Sequence, residues 1–199
     1  MGRSIATDVM RILFVWLVLF PVVVTCSEKI HAEESKPEEV PNRYGMATTF
    51  GYSYDTRDDR SFALITGFVL FDYEKVWHHP APDPLRFKVE FSAGTTMHPD
   101  SRFMASAGIF AVYYLERFAV GYFRPYIEGG IGGIYTDFRE PGQGLRLNFN
   151  PQAGLGTEFA IGSDHSFFTA LRTHHLSNAG LDTHNRGFNS IVVMLGHFF

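Results

Sequence analysis

The stretch "RTHHLSNAGL", residues 172–181, sets His175 and Ser177 two positions apart at the end of an alternating apolar run. An imidazole that can accept a proton and a hydroxyl that can give one up are the minimal parts of nucleophilic ester or amide hydrolysis. A separation of two places both side chains on one face of a strand, in line with Phe167, Thr169 and Leu171. The pair therefore faces whatever those apolar residues face. If that is lipid, the substrate is a lipid. Beyond the loop "NAGLDTHNRGF", Asn189 shares the parity of Ile191, Val193 and Leu195, so three polar groups are expected to meet on one apolar wall. Burying them against hydrocarbon is costly. The plainer reading is a set of rim residues at headgroup level, bonded to one another and to water. Serine followed by asparagine just past a strand is also ordinary turn chemistry. Spacing alone does not make an enzyme.

The elements that must position these residues are strands, because hydropathy repeats with period two. Phe87, Val89, Phe91 and Ala93 alternate with Arg86, Lys88, Glu90 and Ser92. Leu145, Leu147, Phe149, Ala153, Leu155 and Phe159 alternate with Arg146, Asn148, Asn150, Gln152, Gly154 and Glu158. Eight such segments are predicted, at 43–54, 61–75, 85–97, 102–116, 123–136, 145–161, 165–177 and 188–199. Turn chemistry in "DTRDDR", "HHPAPDP", "HPDS", "REPGQG" and "GSDH" separates most of them. "ERFAVGYF" is the weakest boundary.

Eight antiparallel strands of this length close a small barrel. A soluble barrel points its apolar face inward; an outer-membrane barrel points it outward. The polar set, Arg86, Lys88 and Glu90 with Arg146, Asn148, Asn150, Gln152 and Glu158, suits a narrow interior of paired polar groups. Tyr44, Tyr54, Tyr113, Tyr126 and Tyr135 lie near predicted strand ends, as interfacial girdles do. The expected fold class is all-β, an eight-stranded antiparallel outer-membrane β-barrel. With both termini on the periplasmic side, His175 and Ser177 finish the seventh strand at the extracellular rim. Phe199, following Ile191, Val193 and Leu195 with His197 interrupting, resembles the terminal signal read by outer-membrane assembly machinery.

The first thirty-two residues are expected to stand apart from the fold. Arg3 and Arg11 precede the apolar run Ile12–Cys26, and Ala32 follows, which reads as a secretory signal peptide over 1–32. Cys26 is the only cysteine and would leave with it, so stability must come from packing or from a bilayer. "EESKPEEVPNR" makes residues 33–42 a flexible acidic lead-in to the barrel at 43–199. The chain carries 17 basic and 21 acidic residues; that balance offers no basic patch for nucleic acid. The glycines of "EGGIGGIY" lack both the order and the following helix of a phosphate loop; relief of crowding in a tight barrel explains them better. His174 has inward parity beside Arg172. His78, His79 and His184 make no set with metal-ligand spacing.

"RTHHLSNAGLDTHNRGFNS" resembles the signature of the lipid A 3-O-deacylase (PagL) family, whose members carry a His-x-Ser-Asn core near the C-terminus. The resemblance extends back through "LNFNPQAGLGTEF" and "RPYIEGGIGGIYTD", covering residues 123–199. It implies a serine esterase of the outer membrane that acts on lipid A of lipopolysaccharide, with membrane lipid around it, no cofactor and no metal; a homodimer stays open. Ser177 would attack the 3-O-linked ester, His175 would carry the proton, and Asn185 would stabilise the oxyanion. Asn178 and Gly187 complete the motif. The departure is Asn189, which stands where family members with this chemistry have glutamate. An amide can accept through its oxygen but brings no charge. Asn189 is expected to present its carbonyl oxygen to His175, so that Asn189→Glu leaves activity equal or higher, and Asp182 in the loop is the nearest candidate for a helping acid. The alternatives are a non-catalytic small barrel with a structural or lipid-binding role, and a secreted soluble barrel carrying an apolar ligand.

Overall fold

The computed structural model describes residues 40–161 and 165–199; the predicted signal peptide and most of the lead-in lie outside them. The strands are β1 (Arg43–Ser53), β2 (Arg60–Asp72), β3 (Leu85–His98), β4 (Phe103–Tyr114), β5 (Phe123–Thr136), β6 (Leu147–Phe149), β7 (Gln152–Ile161), β8 (His165–Leu176) and β9 (Phe188–Phe198). All neighbours are antiparallel, and β1 pairs with β9 while β4 pairs with β5, so the sheet closes on itself. No helix among the described residues is long and apolar enough to cross a membrane.

Nine segments make eight staves. β6 and β7 are one stave interrupted at Asn150–Pro151: Gly133 faces Phe149 and Gly130 faces Gln152 without a slip in register. Proline has no N–H to give the ladder, so the pairing is broken there although the chain runs straight on. The second strand ends three residues earlier than predicted, because the Asp72 carboxylate accepts from the backbone N–H of Glu74 and Lys75 and starts a short helix, α1 (Tyr73–Trp77). At "ERFAVGYF" the chain turns through a 3₁₀ turn, Glu116–Phe118, and a tight bridge between Val120 and Phe123.

Side chains alternate in and out along every strand. Met46, Phe50, Ile65, Phe91, Ile109, Ile131, Leu155, Leu171 and Leu195 are exposed on the outer wall. An apolar belt of this extent is insoluble in water and matched to acyl chains. The interior holds a buried ionic layer. Arg172 donates to both oxygens of Glu90 at 2.8 and 2.9 Å and to Glu128 at 2.7 and 3.0 Å, while Lys88 donates to Glu128 at 2.5 Å. Toward the end of the barrel where β1 begins and β9 finishes, Glu158 accepts from Arg43, Tyr114 and Ser166.

Three expectations are corrected here. The lumen is not lined by polar groups alone: Phe68, Phe168 and Phe198 pack there with ring centroids 5.1–5.4 Å apart, and Arg43 lies 4.0 Å over the Phe198 ring. Small residues such as Gly45 and Gly196 on neighbouring strands leave the volume these rings fill. Arg146 is outside the barrel wall, bonded to Asp137 at 2.6 Å in an exposed loop. Tyr126 is no girdle residue; it is buried inside against Tyr114, whereas Tyr44, Tyr54 and Tyr135 are exposed.

Candidate active site

The site lies where the seventh stave ends. On β8, Phe167 and Leu171 are about half exposed, at 52 and 48%, whereas Arg172, His174 and Leu176 are buried inside. His175 and Ser177 continue the outward parity, and both are partly exposed. Their backbone is held from the sixth stave: Ser177 exchanges two hydrogen bonds with Phe149, at 2.8 and 3.1 Å, and the His175 N–H donates to Pro151 at 3.1 Å. The pause in the ladder at Pro151 thus falls beside the pair without loosening it.

From the other side comes β9, whose Asn189 is the register partner of His175. Asn189 Oδ1 lies 2.7 Å from His175 Nδ1. An amide oxygen can only accept, so the Nδ1 atom carries the proton and Nε2 keeps its lone pair. Neither Nε2 nor the Ser177 hydroxyl has a hydrogen-bond partner among the described residues. An unpaired base and an unpaired hydroxyl on one face is an arrangement open to a substrate.

Gly187 sits against the imidazole. A Cβ there would lie 2.8 Å from His175 Cε1 and 3.0 Å from Nε2, and 2.5 Å from the Leu176 carbonyl oxygen. The ring can hold its place only over a residue with no side chain.

The loop between β8 and β9 is a built structure. Asn178 is fully buried: its Oδ1 accepts from the Gly180 N–H at 2.9 Å, and its Nδ2 donates to the His184 carbonyl at 3.1 Å. Asn185 accepts the Asn178 N–H at 2.9 Å through Oδ1. Because a backbone N–H can only donate, that bond fixes the amide and turns its NH₂ group elsewhere, with no partner among the described residues. Ala179 takes a left-handed φ of 53°, uncommon for a residue with a side chain. The loop 137–146, at the same end of the barrel, braces this one: Gly144 N–H donates to His184, and Arg186 N–H to Gly142. Phe138 of that loop is tucked over the barrel mouth against Phe188 and under the Arg60 guanidinium, which also donates to Glu140 at 3.0 Å.

Of the residues expected at the site, His175, Asn189 and Gly187 are in contact, Asn178 and Asn185 shape the adjoining loop, and Ser177 shares the face of His175. Asp182 is elsewhere. Its carboxylate accepts the His184 N–H at 2.7 Å and packs against Gly144, with no bond to His175 or Asn189. The acid at Asn189 is instead Asp55, in the loop between β1 and β2, missed in the sequence because 134 residues separate the two. His174 is inside the barrel, 3.3 Å from Asn150, with its Nδ1 unpartnered. Among the described residues no cluster of His, Cys, Asp or Glu could hold a metal.

Comparison with known proteins agrees with this architecture. The model of the family "Lipid A 3-O-deacylase (PagL)" matches residues 68–198. The lipid A deacylase PagL of Pseudomonas aeruginosa is 37% identical over 84 residues, a match covering 41% of this chain and 46% of that protein; the alignment thus spans about half of the curated relative's length. The crystal structure of the outer membrane enzyme PagL superposes with a TM-score of 0.54 at 23% identity, covering 76% of this chain and 97% of that one. Neisserial surface protein A gives 0.56 at 11% identity, covering 79 and 95%. At such identities these two speak to the fold alone. The chain, a barrel of the bacterial outer membrane, belongs to the lipid A 3-O-deacylase (PagL) family.

Proposed function

We propose that this barrel is a serine esterase that removes the 3-O-linked acyl chain of lipid A, releasing a 3-hydroxy fatty acid. The observation that carries the reading is the His175–Ser177 pair on the lipid-facing wall at the extracellular rim, with Asn189 Oδ1 on the far nitrogen of the ring. Lipid A occupies the leaflet at that height, so its ester reaches the site by lateral diffusion with no need to leave the membrane.

With its proton on Nδ1 held by Asn189, the imidazole offers Nε2 as the base. Ser177 Oγ adds to the ester carbonyl carbon as its proton passes to Nε2. The oxyanion role is assigned to the NH₂ of Asn185, the position the family resemblance implies for it; a donor aimed at the developing charge is worth about 3 kcal/mol of barrier. Collapse expels the 3-alkoxide of lipid A, which takes the proton back from Nε2 and leaves an acyl-serine. Water then repeats the sequence, its proton going to Nε2 and its oxygen to the acyl carbon. The products are the free 3-hydroxy acid and regenerated Ser177.

The second reading, a non-catalytic barrel with a structural or lipid-binding role, is favoured by one observation: an amide stands in the third position, where in a serine protease the comparable change costs roughly 10⁴ in turnover. Mass spectrometry of lipid A from cells expressing wild type or Ser177→Ala separates the two. The esterase reading expects wild-type cells alone to lose one 3-hydroxyacyl chain; identical spectra would establish the non-catalytic one.

A further inference from the structure

The amide in the third position is not alone. Asn189 is gripped by Asp55 twice: its backbone N–H donates to Oδ1 at 2.7 Å, and its Nδ2 donates to Oδ2 at 2.6 Å. Both oxygens of one carboxylate are thereby committed to one residue. Asp55 is itself fixed. Tyr54 N–H donates to the Asn189 carbonyl at 3.3 Å, and Arg186 Nη2 donates to the Asp55 carbonyl at 3.1 Å. Its carboxylate forms no salt bridge among the described residues. The result is a continuous chain from Asp55 through the Asn189 amide to His175 Nδ1, with each link 2.6–2.7 Å long.

We infer that Asp55 is a positioning residue that supplies, through Asn189, the charge and orientation a directly bonded acid would otherwise give His175; the inference rests on the esterase reading above. Two physical effects lead to it. A carboxylate can only accept, so it holds the Asn189 NH₂ toward itself and the carbonyl oxygen toward the ring. Without Asp55 the amide is free to turn over, offering NH₂ to Nδ1. That would favour the tautomer with its proton on Nε2, which cannot act as the base. The second effect is polarisation. A charge-assisted bond to the amide NH₂ pushes electron density onto the carbonyl oxygen, which becomes a better acceptor for the Nδ1 proton and a better partner for the imidazolium.

Asn189→Glu, expected from the residue type alone to be neutral or favourable, acquires a different outcome. The introduced carboxylate would stand against Asp55, and two like charges at this distance repel. Asp55→Asn removes that conflict.

The test is a double-mutant cycle on the full-length barrel in detergent micelles, with lipid A as substrate and released 3-hydroxy acid as the readout. Heat-modifiable gel mobility verifies folding for each variant. Asp55→Ala should lower kcat by roughly 10- to 100-fold, the usual cost of losing a group that orients a first-contact residue, with KM little changed. Asn189→Glu alone should also be impaired, and Asp55→Asn combined with Asn189→Glu should recover at least wild-type turnover. Relief of the repulsion would give part of that rescue whatever the role of Asp55; the readout a loop anchor would not move is the loss of kcat at little-changed KM in folded Asp55→Ala. The inference is overturned if folded Asp55→Ala turns over like wild type, or if the double variant is no better than Asn189→Glu. Wild-type release no greater than that of Ser177→Ala would sink the esterase reading, and this inference with it.

Discussion

At the scale of single residues the site is defined by what each group cannot do. Asn189 Oδ1 cannot donate, so His175 keeps its proton on Nδ1; Gly187 has no side chain, so the ring fits over it. Gly187→Ala should therefore displace the imidazole rather than unfold the barrel. A shift of about 1 Å costs on the order of 10²-fold in rate, read as a loss of kcat in protein that keeps its heat-modifiable mobility. The candidate pair was legible in the sequence because a separation of two on an alternating run fixes a common face. Asp55 was not. Its "DTRDDR" setting reads as turn punctuation, and only closure of the barrel brings the end of the first strand beside the start of the last.

At the scale of elements, the candidate face depends on three neighbouring staves and two loops at one end of the barrel. β6 and Pro151 hold the backbone of Ser177 and His175, β9 delivers Asn189, and the loop 137–146 braces the loop 177–187. Asn178, which the motif alone suggests as a participant near the reacting atoms, is spent on loop bonds to Gly180 and His184. Asn178→Ala leaves the Gly180 N–H without its acceptor and takes one of two donors from the His184 carbonyl, which keeps the Gly144 N–H; each of the two part-buried bonds contributes about 0.5–1.5 kcal/mol. The expected outcome is faster amide hydrogen exchange across 178–186, with the strands unaffected. Unchanged exchange there would show that the loop stands without it. Strand positions were read closely because alternation is strong on a wall with lipid outside. Strand ends were read less well: the helix after Asp72 depends on a cap formed by one carboxylate.

At the scale of the whole molecule, an oily exterior surrounds a lumen in which ion pairs and aromatic rings share the space. Outward and inward parity could be assigned from the sequence, but not which inward aromatics would pack together, since Phe68 on β2 meets Phe168 and Phe198 on the paired β8 and β9 only when the barrel closes. Arg172 ties Glu90 and Glu128 across the barrel close to His174 and His175. Arg172→Met would leave two buried carboxylates with only Lys88 between them. Removing one partner from such a buried set costs about 3–5 kcal/mol. The variant should lose its folded gel mobility at markedly lower temperature or urea concentration, and restoring neutrality with Glu90→Gln should return part of the loss.

The central claim is that an activated serine faces the acyl chains. A lipophilic fluorophosphonate, which reacts with a serine hydroxyl only when a base is in place, tests it directly by intact-protein and peptide mass. The account predicts a single adduct on Ser177, formed by wild type and absent from His175→Ala. No adduct on wild type, or an adduct on Ser177 that persists unchanged in His175→Ala, would contradict it.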